Sequence, residues 1–218
     1  MRPPRALLRA VLFDWDGTLV DSAEVSYRCY QRLFAEYGIA FDRQQFERTY
    51  SPNWHHTYVA VRLPTEIWDE ADMRWVEHYA REQTELVPHA RDALDRLREA
   101  GLRLALVTSG DRGRVSRELD RLGLTALFDG VTCAGDTAGR KPDPEPLLLA
   151  LRRLDVRPAA AAYVGDSPED VEMARRAAVY AVGVPGGFPN RAALAAARPD
   201  LLAPDLTAAV DALLGPHA

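Results

Sequence analysis

Short runs of apolar residues alternate along most of the chain with longer segments in which apolar residues recur every three or four positions. The runs lack polar alternation, which is typical of strands buried on both faces of a parallel sheet, and the longer segments have the period of amphipathic helices. We predict strands at residues 10–13, 102–107, 130–133, 160–164 and 179–184, and helices at residues 90–100, 113–122, 145–154 and 168–178. This alternation predicts a Rossmann-like, doubly wound α/β core with right-handed crossovers.

The alternation is interrupted at residues 22–87, where no strand-like run occurs and aromatic residues become frequent. We interpret this stretch as a helical insert after the first strand. The core then consists of residues 1–21 and 88–218. Helices are predicted in the insert at residues 23–37, 43–50, 54–61 and 66–82, with breaks at Tyr50-Ser51-Pro52-Asn53 and at Leu63-Pro64, and one more helix near the end of the core at residues 192–197.

Composition narrows the class of protein. With 47% hydrophobic and 27% charged residues the chain is typical of a globular protein, which excludes disordered, collagen-like and disulfide-scaffold classes. A net charge of −5 without a basic tract gives no sign of nucleic-acid binding. No uncharged apolar stretch is long enough to span a membrane. Cys29 and Cys133 are predicted to be buried thiols, and we expect a cytoplasmic protein, either monomer or homodimer.

The first strand is followed by Asp14-Trp15-Asp16-Gly17. On an extended segment, Asp14 and Asp16 point to one side and Trp15 to the other, and Gly17 lets the chain turn away. Two carboxylates on one side can divide the work of covalent attack and proton transfer. A plain surface turn is the alternative. A calcium loop is a second one, but its twelfth position would be Val25 instead of Glu.

Two other strand ends carry polar groups at the same predicted edge of the sheet. Thr108 offers a hydroxyl, and the backbone N–H groups of Ser109 and Gly110 could meet a phosphate oxygen. Asp166 follows the strand at 160–164, where a metal ligand would lie. Asp170 stands three residues after Ser167, so it could cap the next helix, bind a metal directly or bind it through water.

Lys141 is the only lysine among the 27 basic residues of the chain. Because arginine serves wherever any cation suffices, this position is a candidate for chemistry that needs an ammonium group. The four candidate acids, Asp14, Asp16, Asp166 and Asp170, would repel one another by about 4 kcal/mol per pair at about 4 Å and a dielectric constant near 20. A hard divalent cation would compensate this charge, and for a phosphate substrate that ion is Mg²⁺.

These residues resemble the haloacid dehalogenase superfamily, in its phosphoglycolate-phosphatase-like branch. The resemblance rests on four segments in the family's order: Phe13-Asp14-Trp15-Asp16-Gly17-Thr18-Leu19-Val20-Asp21-Ser22, Val107-Thr108, Lys141-Pro142-Asp143-Pro144 and Gly165-Asp166-Ser167-Pro168-Glu169-Asp170. It implies a Mg²⁺-dependent phosphatase that hydrolyses a small phosphorylated metabolite. The helical insert would then be the family's cap, which closes over the site.

The resemblance also implies a role for each matching residue. Asp14 would be the nucleophile that forms an aspartyl-phosphate, and Asp16 the general acid and base. Thr108 would bind the phosphoryl group, and Lys141 would stabilise both nucleophile and phosphate. Mg²⁺ would be held by Asp14, the backbone carbonyl of Asp16, and Asp166, with Asp170 nearby.

The chain departs from the family pattern at several positions. Trp15 is bulky, His89 stands where relatives often have Gly, and the stretch from Tyr50 to His56 is unlike that of phosphoglycolate phosphatases. In this stretch Tyr50, Asn53 and His56 are candidates for substrate contact, while His55 and His56 could also have packing or surface roles. Two alternatives stay open: a phosphomutase of the beta-phosphoglucomutase type, and a non-catalytic module phosphorylated on Asp. The latter carries its Asp after the third strand.

Overall fold

A computed structural model of the chain describes residues 8–51 and 53–215. Residues 1–7 and 216–218 of the predicted core, and Pro52 at the predicted break, lie outside these ranges. Six strands form one parallel sheet in the order β5-β4-β1-β6-β7-β8, and β2 and β3 form a short antiparallel pair. The strands are β1 Ala10–Phe13, β2 Val20–Asp21, β3 Glu85–Leu86, β4 Arg103–Val107, β5 Gly130–Thr132, β6 Ala161–Gly165, β7 Tyr180–Gly183 and β8 Leu201–Leu202.

The helices follow the prediction closely in the core and less closely in the insert. They are α1 Ala23–Glu36, α2 Arg43–Thr49, α3 His55–Ala60, α4 Trp68–Tyr79, α5 Ala90–Glu99, α6 Arg112–Arg121, α7 Glu145–Arg153, α8 Pro168–Arg176, α9 Arg191–Ala196 and α10 Leu206–Leu214. The predicted helix at 66–82 is shorter, because a 3-10 turn at Thr65–Ile67 precedes α4. The prediction of the α/β class is confirmed.

Two sequence-based expectations were wrong or incomplete. Residues 22–87 were expected to contain no strand, yet they contain β3, which pairs with β2 through Val20 opposite Leu86 and Asp21 opposite Glu85. Neither β8 nor α10 was predicted. Two-residue strands leave almost no periodic signal, since a hydrophobic period needs several residues to be recognised.

The central strand β1 is buried on both faces, which explains its unbroken apolar run. Val11 and Phe13 pack with α5, α6 and α10 on one face, while Ala10 and Leu12 pack with α7, α8 and α9 on the other. Each of these β1 side chains has no exposed surface. Cys29 and Cys133 are buried, as predicted. None of the helices in the described part of the chain has the length and apolar character needed to cross a bilayer.

The helical insert contains an aromatic cluster, which Phe188 of the core joins. Phe34 and Phe41 meet edge to face with ring centroids 4.8 Å apart, and Phe34 meets Tyr58 in the same way at 6.1 Å. Phe46 is also buried in this cluster. The insert therefore packs about its own rings, and α1 and α4 lie side by side.

Candidate active site

The sheet brings the predicted acids together at one edge. Strand β1 lies between β4 and β6, so Asp14 leaves the sheet beside Thr108 on one side and Asp166 on the other. The backbone N–H of Asp14 donates to Val164 O at 2.9 Å, which continues the ladder to the last position before the site. In an open parallel sheet, this carboxyl edge is where ligands bind.

The turn after β1 depends on glycine. Gly17 has φ +79°, in the left-handed region, and its N–H donates to Val20 O at 2.8 Å. A Cβ on Gly17 would lie 2.4 Å from Asp166 Oδ2. Trp15 is fully buried, whereas Asp14 and Asp16 both line the cavity above the sheet edge. The two carboxylates therefore share one side of the segment, as the alternation indicates.

Lys141 is buried between two carboxylates. Its Nζ donates to Asp14 Oδ1 at 2.6 Å and to Asp170 Oδ1 at 2.7 Å. Burial alone would lower the pKa of Lys141, but the charges of Asp14 and Asp170 outweigh it and hold the pKa above its usual value. The single lysine is therefore a fixed ammonium group in contact with the candidate nucleophile.

Asp170 caps α8, which is one of the functions that the sequence left open to it, and it also binds Lys141, which the sequence did not predict. Its Oδ2 accepts from Ser167 N and Oγ at 3.1 and 2.7 Å, and with the Ser167 cap it closes the capping box of α8. Its Oδ1 accepts from Lys141 and from the Tyr163 hydroxyl at 3.1 Å. Since both oxygens already have donors, Asp170 mainly holds Lys141 and the helix start.

Asp166 is different, because its Oδ2 is buried and has no hydrogen-bond partner among the described residues. Burial and the charges of Asp14 and Asp170 raise the pKa of Asp166 well above its ordinary value. Two glycines keep the space beside this oxygen open: a Cβ on Gly186 would lie 2.9 Å from it, and one on Gly17 closer still. Gly186 is a site residue that the sequence did not reveal.

The same neighbourhood fits a divalent cation. One oxygen from each of Asp14, Asp166 and Asp170 lies within 4.8 Å of the others, and all three residues are buried. Burial raises the pKa of Asp14 to about 7, even though Lys141 lowers it. An ion held between Asp14 and the unpartnered oxygen of Asp166 would favour the ionised form of both.

The predicted phosphate-binding residues lie across the cavity. Thr108 is buried, and Thr108, Ser109 and Gly110 all line the cavity. The N–H of Gly110, however, donates to Thr108 Oγ1 at 3.0 Å. In this structure that N–H is therefore committed to the threonine and does not face a phosphate.

Sequence reasoning missed Arg114 on α6. Its guanidinium binds both oxygens of Asp16, with Nη1–Oδ1 at 3.0 Å and Nη2–Oδ2 at 2.5 Å. Burial would raise the pKa of Asp16, but the charge and hydrogen bonds of Arg114 lower it below its usual value. An arginine six positions after Thr108 carries no sequence signal, because the contact depends on the turn of α6 toward β1.

Arg114 is itself held in place from two directions. Its Nη1 also donates to Glu118 Oε2 at 3.0 Å, and the same oxygen accepts from the Trp15 indole at 2.8 Å. The Tyr79 ring of the helical insert lies under the guanidinium, 4.5 Å from its central carbon. Trp15, the bulky residue between the acids, is thus part of the support for Asp16.

A cavity of about 650 Å³ lies above the acids, between the core and the helical insert. Of the three predicted substrate residues, Tyr50 lines it, whereas Asn53 and His56 are not among its lining residues. His56 is exposed and lies 3.2 Å from Ser51 Oγ. His55 packs against Trp68 at 4.6 Å, so it belongs to the packing of the insert.

The family model described as haloacid dehalogenase-like hydrolase matches residues 11–184. The chain is 32% identical to the pyrophosphatase PpaX of Bacillus velezensis over 88% of its length and 90% of that protein. It is 31% identical to the phosphoglycolate phosphatase of Salmonella paratyphi A over 97% of its length and 94% of that protein. The chain belongs to the haloacid dehalogenase-like hydrolases, so the resemblance is confirmed, and it is an enzyme.

Solved structures agree on the fold. CbbY from Rhodobacter sphaeroides, crystallised with phosphate, superposes with a TM-score of 0.77 at 27% identity, covering 91% of this chain and 95% of that one. A beta-phosphoglucomutase from Clostridium difficile superposes with a TM-score of 0.74 at 20% identity, covering 91% and 92%. A protein named as a mutase therefore shares the fold of this chain, which belongs to a hydrolase family, and the fold does not separate the two activities.

Proposed function

We propose that this protein is a Mg²⁺-dependent phosphomonoester phosphatase that acts through an aspartyl-phosphate on Asp14. The observation that carries the proposal is the arrangement of three groups that line one cavity: the buried Asp14, the ammonium of Lys141 bound to it at 2.6 Å, and Asp16 on the same side of the turn. Phosphatase activity is also what the names of both curated relatives indicate.

The first half-reaction transfers the phosphoryl group to the enzyme. A carboxylate oxygen of Asp14 attacks phosphorus, the bond from phosphorus to the leaving oxygen breaks, and Asp16 gives that oxygen a proton. In the second half, Asp16 takes a proton from water, and the water oxygen attacks the same phosphorus. Phosphate leaves, and the carboxylate of Asp14 is regenerated.

Arg114 and Lys141 position the two acids for these steps. The fork of Arg114 fixes both oxygens of Asp16 and favours its ionised form, which is the form that takes a proton from water in the second half-reaction. Lys141 keeps Asp14 oriented and brings positive charge to the transferring group, where negative charge develops. Thr108, directly after the adjacent strand β4, supplies a hydroxyl to a phosphoryl oxygen.

Asp14, Asp166 and the backbone carbonyl of Asp16 would hold Mg²⁺, and Asp170 would support the site through Lys141. Lys141 and Arg114 neutralise only part of the negative charge of Asp14, Asp16, Asp166 and Asp170. When bound, the ion would supply the remaining positive charge. The unpartnered oxygen of Asp166 supports this assignment.

The helical insert, residues 22–87, would serve as a cap over the core of residues 1–21 and 88–218. Its contacts with the core support this function: Tyr50 stacks on Phe188 at 4.1 Å, and Ser51 Oγ donates to Glu169 at 3.1 Å. Such closure would exclude bulk water while the phosphoryl group is transferred. A cytoplasmic location, and a monomeric or homodimeric state, stay predictions.

Chemical trapping of the intermediate tests the proposal. Borohydride reduces an aspartyl-phosphate to an alcohol, so peptide mass spectrometry during turnover with Mg²⁺ should find the reduced residue at position 14. Asp14→Asn should show neither the product nor turnover, and Asp21→Asn, an exposed acid of the same segment, should show both. Turnover without a reducible residue at position 14 would refute covalent catalysis.

A phosphomutase is the second candidate, because a beta-phosphoglucomutase has the same fold. The distinguishing measurement is product analysis with a hexose 1-phosphate. The phosphatase proposal expects inorganic phosphate as the main product, whereas conversion to the 6-phosphate with little free phosphate would favour the mutase.

A further inference from the structure

The cavity above the acids is larger than a short acidic substrate needs. Volumes of about 300 to 1,000 Å³ enclose ligands of drug size, and this cavity has about 650 Å³. The volume belongs to an arrangement in which the insert already contacts the core, through the stack of Tyr50 on Phe188 and the hydrogen bond of Ser51 to Glu169. The cavity therefore keeps this volume while the helical insert is in contact with the core.

Six aromatic side chains line the part of the cavity away from the acids. The rings that line it are Tyr30, Tyr50, Trp54, Tyr58, Trp75 and Phe188. Met73 and Val76 of α4 extend this apolar surface. Two rings are fixed by Asp72 Oδ1, which accepts from the Trp54 indole at 2.7 Å and from the Tyr58 hydroxyl at 3.0 Å. Rings held in this way lose little freedom when a ligand stacks on them.

Charge on the wall points in the same direction. Among the described residues that line the cavity, the helical insert contributes two carboxylates, Asp72 and Glu77, and no basic side chain. The core cations Lys141 and Arg114 are each bound to two acids already. Arg140, in the loop that carries Lys141, packs over the Trp54 ring at 4.8 Å. Arg140 also lines the cavity from the core side, but a second anionic group that reached the insert wall would meet Asp72 and Glu77 and lose its hydration there.

We propose that the alcohol portion of the substrate is a bulky apolar group, with a ring that stacks on the aromatic wall, and carries no second anionic charge. This inference rests on the proposed function and narrows it. It separates this chain from its relatives named for phosphoglycolate and pyrophosphate, whose substrates are small and carry a second anion.

A matched substrate pair tests this. The probes 3-phenylpropyl phosphate and 4-phosphooxybutyrate share an alkyl ester and differ in a terminal ring against a carboxylate. With Mg²⁺ present, kcat/KM should be at least about tenfold higher for the phenyl ester, and higher for it than for phosphoglycolate or pyrophosphate. A preference for the carboxylate, for phosphoglycolate or for pyrophosphate overturns the inference.

A specificity variant sharpens the result. Met73 lines the cavity and is 63% exposed, so its replacement should leave the fold intact. Met73→Lys adds a cation to the insert wall and should reduce the phenyl-to-carboxylate ratio at least about fivefold, whereas Met73→Leu should keep it. An unchanged ratio in Met73→Lys would mean that this wall does not contact the substrate.

Two further measurements separate failure of this inference from failure of the proposed function. Acetyl phosphate is small and reactive, and its hydrolysis requires the catalytic residues but not the aromatic wall. If it is hydrolysed while the carboxylate probe is preferred, only the present inference fails. If it is not hydrolysed, calorimetry with 4-phenylbutylphosphonate and 5-phosphonopentanoate still decides, and tighter binding of the carboxylate compound overturns the apolar site.

Discussion

Arg114 grips Asp16 through both oxygens, at 3.0 and 2.5 Å, while sharing its other contacts between Glu118 and the Tyr79 ring. This pair links Asp16, the candidate proton-transfer group, to helix α6 of the core. It is a positioning contact, since Arg114 acts on the reaction through Asp16.

Replacement of Arg114 by methionine should leave Asp16 and Glu118 without their shared cation. Breaking a buried ion pair from one side costs about 3–5 kcal/mol of unfolding free energy. We also expect kcat to fall about tenfold to a hundredfold with KM changed less than about threefold, because the orientation of the proton-transfer group Asp16 matters in the transition state. Chemical denaturation and steady-state kinetics measure the two effects.

The control for this variant is Arg117→Met, an exposed arginine of the same helix. It should change neither stability nor kcat noticeably. A destabilised Arg114→Met protein that keeps wild-type kcat would show that Arg114 serves only packing.

Lys141→Arg should lose most activity and keep its fold. A guanidinium is too wide to replace an ammonium that lies 2.6 Å from Asp14 and 2.7 Å from Asp170. Loss of one such electrostatic group typically lowers kcat by about a hundredfold to a thousandfold. Arg140→Lys, the neighbouring exchange in the opposite direction, is the control for turnover of acetyl phosphate. Wild-type kcat in Lys141→Arg would contradict a need for lysine at this position.

Magnesium should stabilise the protein through Asp166. At a hundred times its dissociation constant, a ligand adds about 2.7 kcal/mol, which corresponds to an increase of about 5–11 °C in Tm for a chain of this size. Asp166→Asn should lose most of this increase, and Asp69→Asn, exposed on α4, should retain it. Thermal unfolding with Mg²⁺ and with EDTA provides the measurement. An equal increase in Asp166→Asn would remove this residue from the metal site.

Gly186→Ala should close the space beside Asp166. The added Cβ would lie 2.3 Å from Gly17 O and 2.9 Å from Asp166 Oδ2, so the chain must shift at the site. We expect a loss of about 1–3 kcal/mol of unfolding free energy and of the Mg²⁺-dependent rise in Tm. Gly130→Ala, whose Cβ would meet nothing within 4 Å, is the control and should be neutral. Intact magnesium stabilisation in Gly186→Ala would contradict the argument.

His89→Gly should raise stability. His89 precedes α5 with φ 63°, a left-handed conformation that strains a residue with a Cβ, and its side chain is exposed. Glycine removes this strain, and we expect a gain of about 1 kcal/mol in unfolding free energy. The control is Arg117→Gly, which introduces glycine into the interior of α6 and should lower the unfolding free energy by about 1 kcal/mol. The position where the chain departs from its relatives is thus a position where glycine fits.

The sequence predicted the long-range frame of the molecule and missed contacts that need three dimensions. Strand β1 was predicted to the residue, because a strand buried on both faces has an unbroken apolar run. Asp14 and Asp166 could be predicted as site residues because they follow the ends of predicted strands. Lys141 could be predicted because it is the only lysine in the sequence. Arg114 and Gly186 could not be predicted in this way. The contact of Arg114 with Asp16 depends on the rotation of α6, and the place of Gly186 beside Gly17 and Asp166 depends on how separate loops meet.

The helical insert shows the same limit. Its helices follow from apolar spacing, but which side chains face the cavity depends on how α3 and α4 pack. Tyr50 turned toward the cavity, and His56 turned to the exterior. Polar character alone favoured His56 as a substrate residue, whereas the structure fills the wall with aromatic side chains.

The antiparallel pair of β2 and β3 brings together the two points at which the polypeptide passes between the sheet and the helical insert. The polypeptide leaves the sheet layer at Asp21 and returns at Glu85 directly opposite. An exchange of the intervening segment during evolution would therefore have its ends already joined, and would leave Asp14, Asp166 and Lys141 undisturbed. A change of the insert could therefore alter specificity while the catalytic residues keep their places in the sheet.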